Sequence, residues 1–215
     1  DANKLKNRPQ GVEKKQFNKV GILGAGMMGA GIAYSSAMSG MEVVLLDTAQ
    51  ESADKGKSYS EGLLKKRVSR GKMAQEKADA TLARILATTD YNDLKGCDLV
   101  IEAVTENADV KKEVFRTLDG IAPPHAILAS NTSSISITEL GAVTGRPSQV
   151  LGLHFFNPVP VMKLIEMVIG LETSAETVAV TRAFGESLGK QVIEVKDTPG
   201  FIVNYLLIPY LLDAV

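Results

Sequence analysis

Short apolar runs recur along this chain with longer amphipathic stretches between them: KVGILG (19–24), MEVVLLD (41–47), DLVIEAV (98–104), AILASN (126–131) and VLGLHFF (150–156). Runs of this length, apolar nearly throughout and bounded by Gly, Asp or Asn, suit parallel strands covered on both faces. Helical stretches fall between them, over 27–38, 52–70 and 110–118. Strands alternating with helices predict an α/β fold, a doubly wound and mostly parallel sheet. No sequence repeat at a fixed period is visible.

Composition narrows the functional classes. The 215 residues are 45% hydrophobic, enough for one substantial core. Lys plus Arg (24) against Asp plus Glu (25) leaves a formal charge of -1 and no field to hold a nucleic acid. One cysteine, Cys97, closes no internal disulfide, and with two histidines it is too little for a zinc cluster, so no metal is expected. No apolar stretch is long enough to span a membrane, and the polar N-terminus lacks a secretory core; a soluble compartment is expected. Residues 1–18, with Lys4, Lys6, Arg8, Pro9, Gly11, Lys14 and Lys15 and no hydrophobic period, read as a linker.

Gly24-Ala-Gly26-Met-Met-Gly29 follows the first strand directly and opens a helix of small residues. In that position the three glycines serve different ends. Gly24 allows a tight turn, Gly26 lets the backbone approach a pyrophosphate closely, and Gly29 lets helix pack on strand. The helix N-terminus offers free N–H groups to the phosphates. Asp47 ends the second strand, where a carboxylate accepts both ribose hydroxyls and repels a 2′-phosphate, which favours NAD over NADP. The competing reading is a tight turn beside an incidental surface aspartate.

The chemistry is sought in the second half. His154 lies at the end of VLGLHFF, on the sheet edge where ligands sit. Glu166 follows in KLIEMVIG (163–170), beyond the turn Asn157-Pro158-Val159-Pro160, so two adjacent strands would bring carboxylate and imidazole together. A histidine so paired has one nitrogen fixed as donor, and the other takes a hydroxyl proton while hydride leaves for a nicotinamide: alcohol oxidation without a metal. The alternative is a core histidine satisfied by a backbone carbonyl. The hydroxyl cluster Ser130-Asn131-Thr132-Ser133-Ser134 follows a strand at its ligand edge, and either caps the next helix or reaches substrate. His125, with no evident acidic partner, reads as a surface residue, and Cys97 as packing. The run Lys55, Lys57, Lys65, Lys66, Arg67, Arg70 and Lys72 is either a solvated helix face or a patch for a phosphorylated handle such as the 3′-phosphate of coenzyme A.

Taken together, GAGMMGAGIA, EAVTEN, ASNTSS, LHFFNPVPVMKLIE and DTPGFIVN resemble the L-3-hydroxyacyl-CoA dehydrogenase family from Lys19 onward. The spacing is similar to that in the dehydrogenase part of the bifunctional fatty-acid oxidation complex α-subunit. The resemblance implies a Rossmann-type NAD-binding domain and NAD-dependent oxidation of 3-hydroxyacyl-CoA to 3-ketoacyl-CoA in β-oxidation. Carried over residue by residue, it makes His154 the catalytic base and Glu166 the carboxylate that orients it. Ser133 and Asn204 become the polar groups near the substrate's 3-oxygen. Gly24, Gly26, Met27, Met28, Gly29, Asp47, Val104, Thr105, Glu106, Lys111, Asn131, Ser133 and Asn157 would line the NAD site.

Residues 19–197 are expected to form the NAD-binding domain. From Thr198 and Pro199, read as N-cap and first-turn residues, 198–215 are expected to be the first helix of a truncated all-helical domain. Phe201 through Leu212 leave that helix almost no polar face, so a homo-oligomer or another contact through it is expected. The resemblance likewise implies a parent chain in which an enoyl-CoA hydratase domain precedes residues 1–18, and pairing of that parent with a thiolase subunit. The expected compartment is a bacterial cytoplasm, ahead of a mitochondrial matrix. A dehydrogenase of another hydroxy substrate, or a nucleotide-binding module without turnover, remain the alternatives.

Overall fold

The computed structural model describes residues 17–213. In chain order these form β1 (Lys19–Leu23), α1 (Met27–Met38), β2 (Glu42–Leu46), α2 (Gln50–Ser69), α3 (Gln75–Ala83), β3 (Ile85–Thr88), β4 (Leu99–Glu102) and α4 (Ala108–Ile121). There follow β5 (Ile127–Ser130), α5 (Ile137–Ala142), β6 (Val150–Phe155), β7 (Leu164–Ile169), α6 (Ala175–Ser187), β8 (Gln191–Lys196) and α7 (Val203–Asp213). The strands make one sheet in the order β3-β2-β1-β4-β5-β6-β7-β8, parallel except where β7 runs against β6. This is a Rossmann-like sheet extended on one side. Its strand order reverses between β1 and β4, the switch point where such sheets open a crevice.

Each central strand serves two cores, because successive side chains point to opposite faces. Val43 and Leu45 of β2 join a cluster with Ile32 and Ala33 of α1 and Phe184 of α6. Val44 and Leu46 join another with Phe115 and Leu118 of α4. That double burial is why β1, β2, β4, β5 and β6 read as continuous apolar runs. The edges differ: β3 is buried only at Ile85 and Thr88, with Leu86 exposed between them, and β8 alternates buried with exposed positions, so neither is buried throughout.

Two boundaries depart from the sequence reading. Most of the expected linker, residues 1–16, lies outside the described residues, but Phe17 is buried and packs edge-on against Phe184 with ring centroids 5.4 Å apart. Asn18 donates its N–H to Asp98 at 2.9 Å, so the domain begins before Lys19. At the other end Thr198 and Pro199 do not start the helix. Gly200 and Phe201 take left-handed backbones, at φ 78 and 52, which an α-helix cannot include, and α7 starts at Val203. The α7 residues Tyr205 to Leu212 are exposed. No described helix is long and apolar enough to cross a membrane.

Candidate active site

The glycine loop joins β1 to α1 at the switch point. Gly24 has φ 92 and donates its N–H to Leu46 O at 2.8 Å, which folds the loop against β2. A Cβ on Gly29 would stand 1.7 Å from Gly24 O, so helix and loop touch through bare backbone. At Gly26 a Cβ would meet nothing within 4 Å, and no side chain caps the start of α1. An open cradle over uncapped helix N–H groups suits a pyrophosphate. Asp47 closes its far side: Oδ2 accepts from Ala25 N and Oδ1 from Thr48 N, each at 2.7 Å. Met27 beside the loop is largely exposed and Met28 half-buried.

The antiparallel pairing of β6 with β7 sets His154 directly opposite Glu166. His154 Nδ1 is 2.7 Å from Glu166 Oε2, with both residues buried. The other carboxylate oxygen accepts the N–H groups of Ile202 at 3.1 Å and Val203 at 2.8 Å. Since an ionised carboxylate only accepts, the proton of this bond sits on Nδ1 and the Nε2 lone pair points away. Ser133 Oγ stands 3.3 Å from that Nε2. The rings of Phe156 and Phe201 pack on the imidazole, with centroids 4.6 and 5.5 Å away.

A second carboxylate, Glu106, orders the loop that carries Ser133. Glu106 Oε1 accepts Thr132 Oγ1 at 2.5 Å and Ser133 N at 2.9 Å, and so fixes the Asn131–Ser134 loop. Burial pushes its carboxyl up, but the bonds from Thr132 and Ser133 and the charge of Lys111 outweigh this and hold it below the usual 4.5. Lys111 is itself buried, bonded to Glu102 Oε1 at 2.5 Å and 3.5 Å from Glu106 Oε2. Glu102 also accepts Val104 N and Ser130 Oγ, each at 2.7 Å. Asn131 Oδ1 accepts Phe155 N at 2.9 Å, one residue after His154.

The fold thus brings together His154, Glu166, Ser133, Glu106, Lys111 and Asn131, and separately Asp47 with the glycine loop. Val104 is half-buried, Thr105 and Asn157 are exposed, and Asn204 is half-buried in the first turn of α7. The hydroxyl cluster caps no helix: Thr132 Oγ1 accepts from Ser134 N and Ile135 N within a turn, and α5 is capped by Ser136. The residues of the basic run on and just after α2 are exposed apart from the half-buried Lys57, and Lys65 pairs with Glu61. His125 does have an acidic neighbour, Asp98 at 3.7 Å, supplied by a turn far away in sequence. Burial pushes the Cys97 thiol up to about 12, so it is no nucleophile at neutral pH. No cluster of metal-ligating side chains occurs among the described residues.

Sequence reasoning missed Glu102 and Phe201. Glu102 had a signal, a lone carboxylate at the end of an apolar strand with a lysine nine residues on. Phe201 had none, because its backbone conformation is not written in its side chain.

Residues 19–198 match the family described as "3-hydroxyacyl-CoA dehydrogenase, NAD binding domain". The chain belongs to this family. A protein of Deinococcus radiodurans named probable 3-hydroxybutyryl-CoA dehydrogenase is 46% identical over 197 residues, 92% of this chain and 70% of that protein. The fatty acid oxidation complex subunit alpha of Psychrobacter arcticus is 45% identical over 195 residues, which are 91% of this chain and 27% of that subunit. Among solved structures, the (S)-3-hydroxybutyryl-CoA dehydrogenase of Ralstonia eutropha superposes with a TM-score of 0.90 at 46% identity, over 93% of this chain and 70% of that one. The family is one of NAD-dependent oxidoreductases, and the cradle at Gly26, closed by Asp47, fits that cofactor.

Proposed function

We propose that this chain oxidises the 3-hydroxyl of a 3-hydroxyacyl-CoA, with His154 as general base and Glu166 as the group that orients it. The observation that carries the reading is the 2.7 Å contact between His154 Nδ1 and Glu166 Oε2, which leaves Nε2 as an acceptor beside Ser133. In this reading NAD, when bound, would supply the acceptor for the hydride that leaves C3. The chain's own residues do the rest. Nε2 of His154 takes the hydroxyl proton, and the carboxylate of Glu166 stabilises the imidazolium that forms. Ser133, fixed at its N–H by Glu106, and Asn204 hold the 3-oxygen. Gly24, Gly26, Met27, Met28 and Gly29 would seat the cofactor phosphates, Asp47 its ribose, and Val104, Thr105, Asn131, Ser133 and Asn157 the nicotinamide side, with Glu106 and Lys111 behind them. The exposed basic run on and after α2 would meet the coenzyme A phosphates.

The short acyl chain in the names of the Deinococcus radiodurans and Ralstonia eutropha proteins supports 3-hydroxybutyryl-CoA as the first substrate to assay, and the relatives' bacterial sources support a bacterial cytoplasm. The exposed apolar residues of α7 support contact with a second copy. The test is steady-state oxidation of 3-hydroxybutyryl-CoA with NAD by the wild-type chain and by His154→Gln. The expected result is a kcat lowered by about a hundred- to ten-thousandfold with NADH affinity unchanged. Equal losses in both quantities would overturn the general-base role.

A further inference from the structure

Phe201 is the one non-glycine residue with a left-handed backbone among the described residues, at φ 52. A bulky side chain is disfavoured there, and such a conformation persists only where its surroundings over-determine it. The surroundings here are the apolar core with Ile137, Val168 and Val195, which the Phe201 ring joins, and beside it the His154–Glu166 pair. The buried Phe201 ring lies 5.5 Å from the imidazole, centroid to centroid. Its N–H donates to Thr198 O at 2.9 Å, which closes a turn and aims the next two N–H groups, of Ile202 and Val203, at one oxygen of Glu166. The other oxygen faces His154.

We propose that Phe201 is a positioning residue, whose left-handed turn fixes the Glu166 carboxylate and thereby fixes which nitrogen of His154 carries the proton. The inference rests on the reading of His154 as general base, and its physics is simple. A carboxylate held through Oε1 by two amides cannot swing about its terminal torsion, so Oε2 stays in line with Nδ1. Released, the carboxylate turns away, and the imidazole loses the partner that selects the Nδ1–H tautomer. An imidazole with its hydrogen on Nε2 presents a donor where the reaction needs an acceptor.

The experiment is nitrogen-15 NMR of histidine-labelled protein, which is simple because the chain has two histidines. His154→Gln assigns the signals. The wild-type chain is expected to show His154 protonated on Nδ1 with Nε2 bare. Val203→Pro removes the 2.8 Å amide and places proline at the first helical position, where it is tolerated. It is expected to give a mixture of tautomers and at least a tenfold loss of kcat, with unchanged NADH affinity. Phe201→Gly and Phe201→Ala lose the ring equally, but only glycine takes positive φ freely. The alanine variant is expected to carry more Nε2–H than the glycine variant. This comparison stands even if Val203→Pro does not fold. A folded Val203→Pro chain that keeps pure Nδ1–H, or alanine and glycine variants with the same tautomer ratio, overturns the positioning role alone. A wild-type chain without the Nδ1–H signature overturns the catalytic pair and the positioning role with it.

Discussion

Lys111 Nζ lies 2.5 Å from Glu102 Oε1, and the two side chains are 1% and 0% exposed. A lysine sealed this completely is tolerated only with its charge matched, and here the match also supports the site. Glu102 holds Ser130 and the Val104 N–H, while Lys111 faces Glu106, which holds Ser133. Lys111, on α4, therefore meets the site from behind these carboxylates. Replacing it with methionine strands a buried carboxylate and is expected to cost about 3–5 kcal/mol in urea unfolding. Removing both charges, as Glu102→Gln with Lys111→Met, is expected to cost clearly less than the two single changes added together. A Lys111→Met chain within about 1 kcal/mol of wild type would mean that water reaches Glu102.

How much of this was legible follows from what each residue has to do. The five central strands announce themselves because both faces are buried, whereas the edge strands β3 and β8 are not buried throughout and were not read. His154 and Glu166 were legible as a pair because the Asn157–Pro160 turn implies neighbouring strands, and the antiparallel register then sets them opposite each other. The bond from Glu166 to the start of α7 was not legible. It depends on the backbone of Gly200 and Phe201, and the Thr198-Pro199 sequence pointed to an earlier helix start. The hold of Asp197 on Ser136 Oγ and Ile137 N, at the start of α5, is invisible for a related reason: these partners lie about 60 residues away in sequence.

Two glycines of the loop predict opposite phenotypes. An alanine Cβ at Gly29 would meet the Gly24 carbonyl at 1.7 Å, a backbone atom that cannot step aside, while one at Gly26 meets nothing within 4 Å. Gly29→Ala is expected to lower stability by about 3 kcal/mol, at the upper end of overpacking effects. Gly26→Ala should unfold within about 0.5 kcal/mol of wild type yet bind NADH at least tenfold more weakly, because its methyl fills the cradle. Thermal unfolding and NADH fluorescence titration, which no tryptophan obscures, separate the two. A stable Gly29→Ala chain would refute the packing argument.

Asp47 bears on the choice of cofactor. Its carboxylate is fixed against the Ala25 N–H at 2.7 Å, and in the proposed reading it meets the ribose, where a 2′-phosphate would face like charge. Wild-type protein is expected to bind NADH in strong preference to NADPH. Asp47→Asn keeps an acceptor for Ala25 but removes the charge, and should shrink the preference by about ten- to a hundredfold, the worth of roughly 1.5–3 kcal/mol for charge-assisted bonds. Competitive titration of the two dinucleotides reads this directly. An unchanged ratio in the variant would place the selectivity elsewhere.

Asp197 gives a pH dependence of defined sign. Burial raises its carboxyl, but hydrogen bonds from Thr138, Ile137 and Ser136 outweigh that and hold it below the ordinary 3.8. A carboxyl depressed in the folded state adds stability above its unfolded value, and the gain is lost as pH falls through the lower folded value. The wild-type chain should therefore lose stability as pH falls from about 4 toward 2, where this and other carboxyls titrate. Asp197→Asn, which cannot titrate, should be less stable at neutral pH by about 1–2 kcal/mol. Its deficit should shrink as the pH drops, because the wild-type carboxyl is then protonated too. Because Asp197 ties the end of β8 to the start of α5, the same measurement reports on the strand that leads into the Phe201 turn. Urea unfolding of both chains at several pH values tests the assignment, and a deficit that stays constant down to about pH 2 would remove Asp197 from the acid response.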